Sequence, residues 1–142
     1  MTKKKILLVD DEKDLVYAVK LQLEAKHYEV IVASDGQEAL DKARREKPDL
    51  IILDVMLPKI DGYKVCRMLK FDEKYKKIPL IMFTARVQDT DEKLGYSVGA
   101  DAYLTKPFDS RVLLDQIVKL LGKDSGVSGK ERIDKRIKPK RG

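Results

Sequence analysis

Five short apolar runs recur along the chain, separated by longer segments in which apolar residues are spaced differently. The runs are unbroken and do not alternate with polar residues, which is typical of strands that are covered on both faces. They occupy residues 6–9, 30–33, 50–53, 80–83 and 102–104. The pattern therefore predicts five buried strands.

The segments between and after these runs place apolar residues three and four positions apart, as amphipathic helices do. Four helical stripes are Leu15, Val16, Val19 and Leu23; Ala39, Leu40 and Ala43; Val65, Met68 and Leu69; and Val112, Leu113, Ile117, Leu120 and Leu121. A fifth helix, fourth along the chain at 91–98, has the least regular spacing. Helix start and stop residues agree with this division, because Asp, Ser and Gly stand where helices would begin and end. The candidate caps are Ser34 or Asp35, Asp109 or Ser110, Gly99 and Gly122.

Strand and helix alternate along the whole of this region with short connections. Such alternation predicts an α/β fold, in which a doubly wound, five-stranded parallel sheet carries five helices on its two faces and the crossovers are right-handed. In sheets of this kind, ligands bind beyond the carboxyl ends of the strands. Residues that directly follow a strand are therefore the candidates for function.

Length and cysteine content agree with one ordinary domain. A chain of 142 residues can bury a sizeable core, and a single cysteine, Cys66, cannot form an internal disulfide. No apolar signal segment follows the lysine-rich start, and no run reaches membrane-spanning length. These features predict a reducing, cytoplasmic setting with no membrane partner, and Cys66 is expected to be a packing residue.

The net charge of +6 is distributed unevenly. Residues 123–142 contain eight Lys or Arg and three Asp or Glu, a net charge of +5, which leaves +1 for residues 1–122. We therefore predict a nearly neutral domain at 1–122 and a basic, disordered tail or linker at 123–142. The tail could lead to an output domain or contact an acidic partner. It contains no aromatic residue for base stacking, so specific nucleic-acid binding is not expected.

Polar residues that suit phosphoryl chemistry follow four of the strands. Asp10 and Asp11 follow the first strand, Asp54 the third, Thr84 the fourth and Lys106 the last. Because carboxyl ends of parallel strands share one edge, three carboxylates should converge there, and a hard divalent cation would relieve their repulsion. Mg²⁺ fits best, because it binds through few carboxylates and retains water or phosphate oxygens. An ammonium and a hydroxyl beside it could bind phosphoryl oxygens.

Four motifs together resemble the receiver domain of bacterial two-component response regulators. They are Val-Asp-Asp-Glu at 9–12, Leu-Asp-Val-Met-Leu-Pro-Lys-Ile-Asp-Gly at 53–62, Phe-Thr-Ala at 83–85 and Gly-Ala-Asp-Ala-Tyr-Leu-Thr-Lys-Pro-Phe at 99–108. Each motif alone is weak, but the four occur in the right order after the right strands. The resemblance covers residues 4–122 and implies a flavodoxin-like sheet with strand order 2-1-3-4-5.

The resemblance implies a role for each acidic residue of the site. Asp54 corresponds to the phosphoacceptor, which takes a phosphoryl group from a phosphohistidine on a sensor histidine kinase or phosphotransfer protein. Asp10, Asp11 and Asp54, with the backbone carbonyl of Met56, correspond to the Mg²⁺ ligands. The domain would be a signalling phosphoprotein of a phosphorelay, with at most self-phosphorylation and self-dephosphorylation as its own activity.

The resemblance also implies a switch. Thr84 and Lys106 correspond to the residues that contact the phosphoryl oxygens, and Tyr103 to an aromatic residue that moves inward with Thr84 on activation. The bond between Lys106 and Pro107 would be cis. A partner, an output domain or a second copy of the chain would then sense the surface formed by the fifth strand and the fourth and fifth helices.

Other interpretations of the same residues remain open. Asp10 and Asp11 could cap the first helix, and Asp61 with Gly62 most simply forms a turn into the third. An aspartyl-phosphate phosphatase would use the same Asp, Mg²⁺ and Lys. Such enzymes usually carry a second acid two residues after the nucleophile, where this chain has Met56. A nucleotide-binding protein is less well supported, because no glycine-rich phosphate loop follows the first strand.

Overall fold

The computed structural model describes residues 3–85 and 97–122, and these contain five strands in one sheet. The strands are β1 (Lys5–Val9), β2 (Glu29–Ala33), β3 (Leu50–Asp54), β4 (Leu80–Thr84) and β5 (Ala102–Thr105). All neighbouring pairs are parallel, and the order is β2-β1-β3-β4-β5. The predicted strands, their parallel arrangement and their order are confirmed.

Four helices connect or follow these strands in the described residues. They are α1 (Lys13–Ala25), α2 (Gly36–Glu46), α3 (Gly62–Lys70) and α4 (Ser110–Leu121), of which α4 is the predicted last helix. The predicted helix at 91–98 lies mainly outside the described residues, as does the tail at 123–142, so the count of five helices remains a prediction. Within the described ranges no helix combines the length and the hydropathy that crossing a bilayer would require.

Aspartate side chains cap three of the helices. Asp35 accepts a hydrogen bond from the Glu38 N–H at 2.8 Å and so begins α2, while Asp61 and Asp109 cap α3 and α4 in the same manner. Such a side chain satisfies one of the free N–H groups of the first turn. The N-cap residue of α1 is Glu12, whose side chain makes no capping bond. The acid at the N-cap of α1 therefore does not cap the helix, although Asp10 Oδ1 accepts a hydrogen bond from the Glu12 N–H at 2.8 Å.

The sheet separates two apolar layers. Successive residues of a strand point to opposite faces, so an unbroken apolar strand supplies both layers. In β1, Ile6 and Leu8 belong to one layer, while Leu7 and Val9 belong to the other. The first layer packs under α1 and α4 through Val19, Leu23, Leu113, Ile117 and Leu120; the second packs under α2 and α3 through Ala39, Leu40, Ala43, Val65, Cys66 and Leu69.

Two residues of the predicted helical stripes lie outside the core. Met68 is 42% exposed and Val112 is 46% exposed, so their predicted packing positions were wrong. A helix turns by about 100° per residue, and the buried stripe of α3 runs through Val65, Cys66 and Leu69. Because Cys66 occupies an inward position, Met68 lies to one side of the stripe. Cys66 itself is fully buried, as predicted.

Candidate metal and phosphoryl site

Three predicted acids meet at the carboxyl edge of the sheet. Asp10 and Asp11 directly follow β1, Asp54 ends β3, and these two strands are hydrogen-bonded neighbours. One carboxylate oxygen of each residue lies within 4.8 Å of the others. Asp10 and Asp54 are only 1% and 3% exposed, whereas Asp11 is exposed. The site therefore holds two buried carboxylates and opens to solvent at the third.

Burial makes Asp54 an unusual carboxyl group. Loss of solvation is the largest cause that raises its pKa to about 6, and the negative charge of Asp10 adds to the effect. The positive charge of Lys106 and a hydrogen bond from the Met56 N–H oppose this shift. That bond joins the Met56 nitrogen to Asp54 Oδ1 at 3.4 Å. Asp54 is thus poorly solvated, and a positive charge beside it favours its ionised form.

Lys106 supplies the positive charge among these acids. Its Nζ lies 2.8 Å from Asp10 Oδ2, 2.9 Å from Glu12 Oε1 and 3.6 Å from Asp54 Oδ2. Burial lowers the pKa of Lys106, but the hydrogen bonds to Asp10 and Glu12 outweigh it and the pKa is raised. The ammonium also lies 4.9 Å from the centre of the Phe83 ring, within cation–π range.

A backbone hydrogen bond joins Lys106 to the end of β4. Its N–H donates to the carbonyl oxygen of Thr84 at 2.7 Å, and the bond between Lys106 and Pro107 is cis, as the resemblance implies. Thr84 ends β4 and is fully buried, one residue beyond Phe83, which pairs with Asp54 across the sheet. The structure therefore brings the hydroxyl-bearing residue and the ammonium to the same edge as the carboxylates.

Tyr103 lies inside the protein in this structure. The residue is 4% exposed and belongs to the apolar layer that includes Leu80, Met82 and Ala100. This is the inward position that the resemblance associates with activation.

Met56, two residues after Asp54, is 59% exposed at the border of the site.

Comparison with known proteins shows the family of this chain. Residues 6–118 match the response regulator receiver domain. The chain belongs to this family. It is also 49% identical over 118 residues to the alkaline phosphatase synthesis transcriptional regulatory protein PhoP of Bacillus subtilis. That match covers 83% of this chain and 48% of PhoP, so the chain spans about half the length of this curated relative.

Solved receiver structures share the fold. The chemotaxis response regulator CheY4 of Vibrio cholerae is 34% identical with a TM-score of 0.78, and the match covers 84% of this chain and 99% of CheY4. The BeF3-activated N-terminal receiver domain of Klebsiella pneumoniae RstA is 31% identical with a TM-score of 0.78. It is matched over 83% of this chain and 98% of its own. The receiver chain is therefore similar to both along nearly their whole length.

The residues of this receiver fit a bound divalent cation. Asp10, Asp11, Glu12 and Asp54 bring four negative charges, and Lys106 is the one ammonium that contacts them in the described part of the chain. Carboxylate oxygens are the ligands that Mg²⁺ prefers. A cation bound by Asp10, Asp11 and Asp54 would relieve the repulsion that the buried pair now experiences.

Sequence reasoning assigned no role to one residue of the site. Glu12 follows Asp10 and Asp11 directly and is the N-cap residue of α1. Its side chain makes no capping hydrogen bond and instead forms an ion pair with Lys106. The signal available in the sequence was the third consecutive acid. No spacing rule, however, connects position 12 to a lysine that lies 94 residues further along the chain.

We expect Asp54→Asn to stabilise the cation-free receiver at neutral pH. Because the pKa of Asp54 is about 6 when folded against 3.8 normally, folding favours the protonated acid and its ionisation costs stability as pH rises through 6. Above pH 7 the variant should be more stable by about 1–3 kcal/mol, and below pH 4 the two proteins should converge. Urea unfolding in EDTA between pH 4 and 8 measures this; a difference that does not change with pH contradicts it.

Proposed function

We propose that Asp54 accepts a phosphoryl group from a phosphohistidine of a sensor histidine kinase or phosphotransfer protein, in a Mg²⁺-dependent reaction. One observation carries the proposal: a buried carboxylate lies between two further acids and an ammonium at the functional edge of a receiver sheet. The RstA receiver domain, which is similar to this chain, is described as BeF3-activated. The same kind of activation is proposed for this chain.

The chemistry follows from the residues present. An oxygen of the Asp54 carboxylate forms a bond to phosphorus while the bond from phosphorus to the histidine nitrogen breaks. That nitrogen keeps the electron pair, and a ring that carries a proton on its other nitrogen leaves as neutral imidazole. Asp10, Asp11, Asp54 and the Met56 carbonyl would hold Mg²⁺, which when bound offsets negative charge on the phosphoryl oxygens. The Lys106 ammonium and the Thr84 hydroxyl donate hydrogen bonds to those oxygens.

We propose that the aspartyl phosphate is a long-lived signalling form of the chain and not the intermediate of a hydrolase. A phosphatase that uses the same aspartyl phosphate usually needs a second acid two residues after the nucleophile, and that position holds the thioether of Met56. A receiver of this kind should load about one phosphoryl group per chain and lose it slowly. Repeated hydrolysis of a phosphomonoester would instead favour the phosphatase.

Loading from acetyl phosphate tests the proposal and its dependence on metal. With millimolar Mg²⁺ we expect the intact mass to increase by one phosphoryl group per chain, because a bound cation offsets the charge of both reactants. With EDTA in place of Mg²⁺ the loaded fraction should decrease by at least about a hundredfold. Equal loading in EDTA, or no loading with Mg²⁺, contradicts the proposal.

The proposed output is a change of surface around β5. A phosphoryl group on Asp54 carries nearly two negative charges and would draw Thr84 and Lys106 towards it. A shift of Thr84 towards that group would stabilise the inward position that Tyr103 already occupies in this structure, at the expense of outward positions of the ring. The population of one form of the face made by β5, α4 and the predicted helix at 91–98 would then increase. A partner, an output domain or a second copy of the chain would bind that face.

Substitution of Tyr103 tests this coupling. Tyr103→Ala should leave loading of Asp54 within about twofold of the parent value. Phosphorylation-dependent partner binding or self-association should decrease by at least about tenfold, because the variant lacks the ring that couples the position of Thr84 to the surface around β5. Pull-down or sedimentation with BeF3 present and absent measures this effect. Unchanged dependence on BeF3 in the variant rejects the coupling.

The domain boundaries and setting belong to the same proposal. Residues 1–122 would form the receiver, which agrees with the family match at 6–118, and 123–142 would form a basic tail or linker. A cytoplasmic location suits a partner of sensor kinases and the single buried cysteine.

A further inference from the structure

Both oxygens of Asp10 are occupied in this structure. Oδ1 accepts a hydrogen bond from the Glu12 N–H at 2.8 Å, and Oδ2 accepts one from Lys106 Nζ at 2.8 Å. The first bond belongs to the backbone at the start of α1. The second depends on a side chain, and it is the bond that an incoming cation opposes, because a dication and an ammonium repel each other at a shared carboxylate.

Lys106 needs another anion once Asp10 binds a cation. The lysine side chain is only 15% exposed, so water cannot fully solvate its charge in place, and an unpaired buried charge is costly. The next carboxylate, Asp54, is itself a candidate ligand of the cation. Glu12 Oε1 lies 2.9 Å from Nζ, and the Glu12 side chain is 64% exposed and outside the group of three converging acids.

We propose that Glu12 is a positioning residue: it keeps the Lys106 ammonium in an ion pair when a divalent cation binds the Asp10 carboxylate. The inference rests on the proposed function, because it concerns the same cation site. It makes two statements. Glu12 increases the affinity for Mg²⁺ before any phosphoryl group is present, and it holds the ammonium beside Asp54, where phosphoryl oxygens would arrive.

Two simpler roles for Glu12 can be separated from this one. Its charge could act on the cation directly, or it could act on the amino-terminal end of α1, where acids are generally favourable. Glu12→Asp retains the charge but shortens the side chain by one methylene, so it loses the contact with Lys106. Asp14→Asn removes a charge from the first turn of α1, and no ion pair to Lys106 is formed there.

The experiment is a Mg²⁺ titration by calorimetry without any phosphoryl donor, supported by amide NMR. Glu12→Gln should weaken Mg²⁺ binding about tenfold and Glu12→Asp at least about threefold, whereas Asp14→Asn should change it less than about twofold. Both altered side chains are at the surface, so melting temperatures should stay close to that of the parent chain. Parent-like affinity in Glu12→Asp overturns the inference.

A double-mutant cycle with Lys106→Met then tests the route through the lysine. When Lys106 is absent, the tenfold effect of Glu12→Gln should shrink to less than about threefold, because only the direct effect of its charge is left. An equal effect in both backgrounds overturns the inference while the Mg²⁺ site itself stands. If the parent chain does not bind Mg²⁺ at all, the proposed function fails first, so the two failures are distinguishable.

Discussion

Asp54→Asn is expected to abolish incorporation of phosphate from acetyl phosphate in the presence of Mg²⁺. The amide has nearly the shape of the carboxylate but is a poor nucleophile, and it removes one of the three converging acids. Loading should decrease by at least about a hundredfold, the limit of intact-mass detection. The loss should persist at high Mg²⁺ concentration, because it reflects the missing nucleophile as well as weaker cation binding.

Asp61→Asn is the matched control for this variant. Asp61 lies in the same loop between β3 and α3, is exposed, and caps α3 by accepting the Lys64 N–H at 3.0 Å. Asparagine caps helices about as well as aspartate, so the start of α3 should be preserved. The control should load like the parent chain. Full loading of Asp54→Asn would remove Asp54 as the acceptor.

Gly62→Ala is expected to be strongly destabilising for a change of a single methyl group. A Cβ at position 62 would lie 2.2 Å from the carbonyl oxygen of Asp54 and 2.7 Å from the Cα of Val55. Both neighbours are backbone atoms, which cannot move aside as a flexible side chain can. The Gly62 N–H also donates to the Val55 carbonyl at 2.9 Å, which holds α3 against the end of β3.

The expected loss is about 3–5 kcal/mol in the free energy of unfolding, measured by urea denaturation. Gly122→Ala is the comparison, because Gly122 has φ of −71° in the right-handed region that any residue adopts. It should change stability by less than about 0.5 kcal/mol. Near-parent stability of Gly62→Ala would show that the loop after Asp54 can relax away from α3, which the packing does not suggest.

Much of the fold could be predicted because it depends on local patterns. Unbroken apolar runs predicted all five strands, since a parallel strand buries both faces. Asp35 and Asp109 were among the predicted caps, since a short acceptor side chain satisfies free N–H groups. Helix faces were less certain. Met68 and Val112 are apolar residues beside the buried stripe, and periodicity alone does not exclude such neighbours.

The members of the site were predictable, but their interactions were not. Strand ends bring Asp10, Asp11 and Asp54 together whenever the order is 2-1-3-4-5, so topology alone explains their convergence. The contact between Glu12 and Lys106 depends on side-chain directions across 94 residues. The raised pKa of Asp54 depends on how deeply the fold buries it. Sequence patterns specify neither the side-chain direction that makes this contact nor the depth at which Asp54 is buried.

Mapping the phosphorylated residue tests the central claim most directly. After loading with acetyl phosphate and Mg²⁺, borohydride converts an aspartyl phosphate to homoserine, which peptide mass spectrometry can locate. We predict homoserine at position 54 alone, and none when EDTA replaces Mg²⁺. Homoserine at position 10 or 11 with Asp54 unmodified would contradict the account.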